Sequence, residues 1–218
     1  MPDLSFQIES VQPAQFAAVP QLLFQLRIRD GETAAMATVQ SLSLNVQIRI
    51  EPTRRGYQGV DAPGLRDLFG DPLRWGATMR SLLWTHVTCV VPAFTGETIF
   101  DLSIPCSFDF NVAATKYFAS LEAGDIPLCF LFSGTMFYQS ARGLQAGQIS
   151  WEKEAVFRLP AETWHELMRR HFPDAVWLNI PRDLFAELQE FKNRQGLPSW
   201  DQALARLLTQ ADRNEVRT

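Results

Sequence analysis

Residues 42–50 read Leu42-Ser43-Leu44-Asn45-Val46-Gln47-Ile48-Arg49-Ile50, five aliphatic side chains on one parity and four polar ones on the other. A β-strand turns successive side chains to opposite faces, so this spacing makes one dry face and one wet face, whereas a helix would scatter the same residues around its axis. Sheets that pack on one side and meet water on the other are characteristically antiparallel. Toward the N-terminus, Leu22, Phe24, Leu26 and Ile28 alternate with Leu23, Gln25, Arg27 and Arg29, and Phe6, Ile8 and Val11 stand among polar residues. With Asp30-Gly31-Glu32 as a turn, the first fifty residues read as edge-to-core strands of one antiparallel sheet.

Downstream, the alternation stops. Thr53 to Tyr57, Pro63-Gly64, Gly70-Asp71-Pro72 and Trp75-Gly76 join turn formers to isolated large apolar residues, which predicts a long ordered loop from Glu51 to Arg80. One helical turn is expected at Leu65–Phe69, with Leu68, Phe69, Leu73 and Trp75 pinning the loop to the body. Strands are predicted over Ser81–Val91, around Phe100, Leu102 and Ile104, around Phe108, Phe110 and Val112, and over Ile126–Phe137 with a bulge at Gly134. A short helix is expected near 113–123. Ser140–Gly147 reads as a turn, and Trp151 to Leu159 as the last strand.

From Pro160 the period changes to three and four residues: Trp164, Leu167, Met168 and His171 share a face, then Leu184, Leu188 and Phe191, then Ala203, Leu204, Leu207 and Leu208. Ser199 with Gln202 forms a capping box for the third helix, and the tail from Gln210 is expected to fray. The sum is an α+β protein: a mainly antiparallel curled sheet or β-sandwich-like core over 1–159, with a helical region, 160–209, packed on it as part of a single domain, 1–218.

An apolar share of 46% in 218 residues supports a folded core. Twenty Lys and Arg against twenty-four Asp and Glu, net −4, give no global positive field for nucleic acid or an anionic membrane. No apolar stretch reaches the length of a membrane span, and the first residues lack a signal-peptide pattern. Cys89, Cys106 and Cys129 are odd in number and scattered among apolar residues, so reduced, buried thiols and a cytoplasmic location are expected.

Chemistry-bearing motifs are few. Neither GxxxxGK, GxGxxG, GxSxG nor HExxH occurs, no metal ligand set is assigned and no cofactor is expected. Trp84 and His86 are expected on one face of a strand with Cys89 on the other, which leaves the HxxC spacing unable to form a ligand pair without a bulge. His165 beside Glu166 reads as a solvated surface feature. His86 and His171 with Glu97, Asp101 and Asp109 are the candidates for a His/carboxylate pocket, the alternative in which the chain is a small enzyme or a metal-binding protein. The densest basic and aromatic segment carries Arg54, Arg55, Tyr57, Arg66, Phe69 and Trp75. Guanidinium forks and rigid rings suit a protein interface, and nearby Glu51, Asp61 and Asp67 balance the charge against nucleic acid, so a protein partner or a second copy of the chain is the expected ligand.

The strings Gln47-Ile48-Arg49-Ile50-Glu51-Pro52, Asp67-Leu68-Phe69-Gly70, Leu83-Trp84-Thr85-His86-Val87, Phe132-Ser133-Gly134-Thr135 and Trp200-Asp201-Gln202-Ala203-Leu204 carry a resemblance. Over nearly its full length the chain resembles an uncharacterised bacterial family of about this size, a domain of unknown function often encoded near nickel-iron hydrogenase genes. The resemblance implies accessory service to such a system, such as assembly, stabilisation or handling of a maturation intermediate, with a hydrogenase subunit or maturation factor as partner. It brings no catalytic or metal-binding residue.

Overall fold

The computed structural model describes residues 2–31, 38–57, 61–110, 112–176 and 178–215. Two compact units divide the chain, Met1–Trp177 and Leu178–Thr218. The first unit holds two antiparallel sheets. Strands β1 (Asp3–Pro13), β2 (Gln21–Gly31) and β6 (Glu97–Pro105) form one, in the order β1-β2-β6. The other runs β4-β3-β7-β8, from β3 (Thr38–Ile50), β4 (Leu82–Val91), β7 (Asp125–Ser140) and β8 (Gly143–Gln148). Two shorter strands extend it: β5 (Phe94–Thr95) pairs with β3, and β9 (Glu154–Pro160) pairs with β7.

The alternation read from the sequence sets which faces meet. Leu22, Phe24, Leu26 and Ile28 of β2 and Leu42, Leu44, Val46, Ile48 and Ile50 of β3 are all buried. Phe6 stacks on Phe132 with ring centres 4.4 Å apart, and Phe24 meets Phe130 and Phe157 edge-on at 5.2 and 5.7 Å, so aromatic side chains from both sheets interlock in the core. On the opposite face of the three-stranded sheet, Arg27 pairs with Glu9 and Glu97, and Arg29 with Glu97, which ties β1, β2 and β6 together.

Several expectations are corrected. The first fifty residues do not form one sheet: β1 and β2 belong to one and β3 to the other, because their apolar faces bury against a facing layer. The expected turn at Asp30-Gly31-Glu32 lies partly outside the described residues, at Glu32. The 51–80 connection is not a loop. It carries 3₁₀ turns at Pro52–Arg54 and Pro72–Arg74 and helices α1 (Ala62–Phe69) and α2 (Trp75–Thr78), with Pro63 in the first turn of α1, where its missing N–H costs nothing. Leu73, expected to pin this segment, is exposed.

Phe108 and Phe110 are not in a strand; their rings turn toward the helices that follow. Helix α3 (Ala113–Ala119) ends before 123. Residues 143–148, expected as part of a turn, are β8, and the last strand starts at Glu154, leaving Trp151 exposed in a turn. Gly134 makes no bulge. Ser133, Gly134 and Thr135 stay in register with Asn45, Leu44 and Ser43. A Cβ built on Gly134 would lie 2.0 Å from the Ser43 carbonyl oxygen, so the glycine is there to let two central strands approach.

The first helix of the C-terminal third, α4 (Ala161–His171), belongs to the β unit and buries Trp164, Leu167 and Met168. The second unit is a helix pair, α5 (Arg182–Arg194) and α6 (Trp200–Glu215). Phe185 lies against Trp200 at 5.2 Å, Lys192 sits over the same indole, and Ala203 is buried. The Gln202 N–H donates to Ser199 Oγ at 3.3 Å, the N-terminal half of the expected capping box. The tail expected to fray from Gln210 is helical to Glu215.

Candidate functional site

Between β3 and β4 the chain builds a bracket around Arg55. Ser81 Oγ donates to Glu51 at 2.6 Å, closing the two ends of the connection on each other. The Arg55 guanidinium lies 3.5 Å from the buried Asp61 carboxylate and donates to the carbonyls of Asp125 (3.1 Å) and Ala123 (3.3 Å). Its charge sits 5.2 Å above the Tyr57 ring. The Tyr57 hydroxyl donates to the Pro52 carbonyl at 2.7 Å and accepts from the Tyr117 hydroxyl at 2.8 Å. Burial raises the pKa of both phenols, and for Tyr117 the Tyr57 oxygen it donates to adds to the rise. Trp75 donates from Nε1 to the Gly70 carbonyl at 3.0 Å and meets Tyr57 edge-on, while Phe69 is buried against Tyr117.

Of the six residues expected to bind a partner, four therefore face inward: Arg55, Tyr57, Phe69 and Trp75 fasten the connection to α3 and to the start of β7. Arg54 and Arg66 are exposed. Arg54 lines a cleft of about 430 Å³ with Arg55, Asp61, Glu122, Asp125 and Arg158. Arg158, on β9, donates to the Arg54 carbonyl at 3.3 Å. The same two arginines border a second hollow of about 370 Å³ whose other walls include Pro127, Val156 and Phe157. Among the described residues neither Arg54 nor Arg158 has an ion-pair partner. Sequence reading passed over Arg158, although it continues the outward parity of Glu154 and Val156.

The other candidates are spread over the first unit. His86 is exposed on β4, opposite Gln47. Trp84 does not share its face, because a register shift at Ile48/Arg49 makes Trp84 an extra residue and turns its ring to Phe24 and Phe118. Glu97 and Asp101 lie on β6 in the other sheet. Hydrogen bonding to Arg29, reinforced by Arg27, holds the Glu97 carboxyl below the usual carboxylate range. Asp109 precedes α3, and His171 ends α4. Among the described residues, no three His, Cys, Asp or Glu side chains gather as metal ligands. His165, expected in solvent, is half-buried and donates from Nε2 to the Leu121 carbonyl at 2.7 Å.

The cysteines are free; Cys106 and Cys129 are buried and Cys89 half-buried. Burial pushes the Cys106 thiol up to about 12, so at neutral pH it is a protonated apolar filler. No helix among the described residues is long and apolar enough to cross a membrane.

The model of a family of unknown function, DUF6084, matches residues 1–216. The chain belongs to this family. Membership in DUF6084 agrees with the expected full-length domain of unknown function and assigns no activity. No curated protein matches. The solution structure of a candidate late embryogenesis abundant (LEA) protein is 11% identical, with 73% of each chain covered and a TM-score of 0.31, a likeness too slight to bear on fold or function.

Proposed function

We propose that this member of DUF6084 is a non-catalytic accessory or assembly protein of the cytoplasm that docks a protein partner on the Arg54–Arg158 side of its first unit. The observation that supports the reading is the pair of solvent-facing guanidiniums without ion-pair partners among the described residues, set between a polar cleft and a more apolar hollow. Planar guanidinium forks bind carboxylates bidentately, and an adjoining apolar wall lets the same contact exclude water. Arg55 and Asp61 hold the cleft floor and are not part of the docking chemistry. The resemblance to a family encoded near nickel-iron hydrogenases supplies the first partners to test, a hydrogenase subunit or one of its maturation factors.

The test is binding of the purified chain to purified hydrogenase subunits and maturation factors, comparing wild type with R54E/R158E and with Arg66→Glu, which lines neither hollow. Circular dichroism first establishes that all three fold. The double variant should bind at least roughly tenfold more weakly, the effect of about 1.4 kcal/mol of lost contact, while Arg66→Glu stays near wild type. Equal affinity for the double variant would refute the arginine interface, and failure of wild type to bind any hydrogenase component would remove the hydrogenase part.

A further inference from the structure

A strand with an unpaired side invites pairing with another chain, and proteins blunt such edges with charge, proline, a bulge or brevity. The outer strands of the two sheets follow this rule with one exception. β1 has Asp3, Glu9 and a register shift between Ile8 and Ser10; β6 has Glu97, Asp101 and Pro105; β9 has Glu154, Arg158 and Pro160. β5 is two residues long, and β8 is six with Gly143 and Gly147 among them. From Thr85 to Val91, β4 reads Thr-His-Val-Thr-Cys-Val-Val, with no Asp, Glu, Lys, Arg, Pro or Gly. Among the described residues this stretch pairs with β3 alone, one for one from Ile48–Thr85 to Leu42–Val91, so its other side presents backbone N–H and C=O groups with no strand partner. The sandwich is also incompletely sealed there: Val87 and Cys89, on the inward face with Val46 and Leu44, are only half-buried, and Val90 on the outward face is exposed.

Unmet ladder groups are answered by an extended backbone, and the stretch itself selects which one. The extra residue at Trp84 ends regular pairing on one side and Pro92 follows on the other, so the regular stretch is centred on Thr88. Laid antiparallel against its own copy about an axis at Thr88, it matches throughout: Thr88 opposes Thr88, His86 opposes Val90, Val87 opposes Cys89 and Thr85 opposes Val91. Outward residues then meet outward ones, inward residues meet inward ones, and no Asp, Glu, Lys or Arg meets its like. We infer that β4 is a homodimer edge, at which two copies of the chain join their β4-β3-β7-β8 sheets into one about a twofold axis at Thr88. The second copy satisfies the open ladder and covers Val87 and Cys89. Because β4 carries neither Arg54 nor Arg158, this contact stands or falls without the arginine interface.

The test is sedimentation velocity on the full chain over a dilution series, with wild type beside T88K, both first shown to fold by circular dichroism. Wild type should reach twice the chain mass. T88K sets a positive charge against its own copy at the axis and should weaken dimerisation at least about tenfold. The register is read by oxidative cross-linking of T88C/C89A against I99C/C89A, the latter an exposed position on β6. Directly opposed residues of antiparallel strands have Cα atoms about 4.5–5.5 Å apart, within the span of a disulfide, so T88C/C89A should cross-link rapidly and I99C/C89A slowly. A wild type that stays monomeric to about 0.1 mM, a dimer untouched by T88K, or equal cross-linking of the two cysteine variants would each overturn the inference.

Discussion

Replacing Gly134 by alanine adds one methyl group at the centre of the six-stranded sheet. An ideal Cβ there falls 2.0 Å from the Ser43 carbonyl oxygen, 3.1 Å from its carbonyl carbon and 3.2 Å from Leu44 Cα. All three are backbone atoms of β3, so no side chain can swing away. Relief requires the strands to part by about 1 Å where Ser133 and Thr135 remain in register with Asn45 and Ser43. Gly134 also has φ +138°, a conformation that costs an L-residue roughly 1–3 kcal/mol. Overpacking adds about 1–3 kcal/mol, and loosening one or two ladder bonds about 0.5–1.5 each. The expected loss is thus about 3–9 kcal/mol, against about 5–15 for a whole domain. Gly143 separates the terms, since it too has positive φ, +91°, but no atom lies within 4 Å of its added Cβ. Urea titrations followed by circular dichroism should show Gly143→Ala losing about 1–2 kcal/mol and Gly134→Ala several more. A Gly134→Ala protein no less stable than Gly143→Ala would refute the close-approach reasoning.

Arg55→Met removes the guanidinium from buried Asp61 and from the carbonyls of Ala123 and Asp125, and should cost about 3–5 kcal/mol by urea titration, with Arg55→Lys between it and wild type; a loss under about 1 kcal/mol would show the bracket to be ornamental. At pH 8, Ellman's reagent should label half-buried Cys89 first and reach Cys106, whose thiol is pushed up to about 12, only on unfolding; equal rates would contradict the burial argument. Stability should be undiminished by Tyr57 and Tyr117 below their ordinary value of 10.0 and fall as pH rises above it, because the unfolded chain releases phenol protons that the fold retains. Cys106 begins the same decline from 9.0. Urea midpoints at pH 8 to 11 should therefore drop less steeply in Y57F/Y117F than in wild type, and parallel curves would disprove the linkage.

The α+β class, the antiparallel pairing and the inward parity of β2 and β3 were all legible, because a period of two in side-chain polarity is a local signal. Which strands lie side by side was not. Leu22–Ile28 and Leu42–Ile50 have the same pattern whether they share a sheet or face each other across a core, and the choice depends on β6 and β7, far along the chain. Pro63 and Pro72 read as loop residues, yet each also suits the first turn of a helix. The aromatic residues of the 51–80 connection were recognised as anchors, while the direction they point, toward Tyr117 or toward solvent, is set by α3. Arg158 was invisible as a site residue because a lone outward arginine on a strand has no motif; only the fold brings it beside Arg54.

The pairing of β3 with β7 also bears on how the molecule comes off the ribosome. Ile50 finds Leu128, and Val39 finds Tyr138, only after the intervening strands have been made. At an elongation rate of about 5–20 residues per second, the wait is roughly 4–20 seconds. The β1–β2 hairpin can close early, and β4 can cover one edge of β3 before that wait is over. The other edge, with its row of unpaired backbone groups beside Leu42 to Ile50, stays open until synthesis passes residue 138. Nascent chains are thus most vulnerable to mispairing with one another in that interval, and the strand that anchors the finished core is the one most in need of a holdase while it is being built.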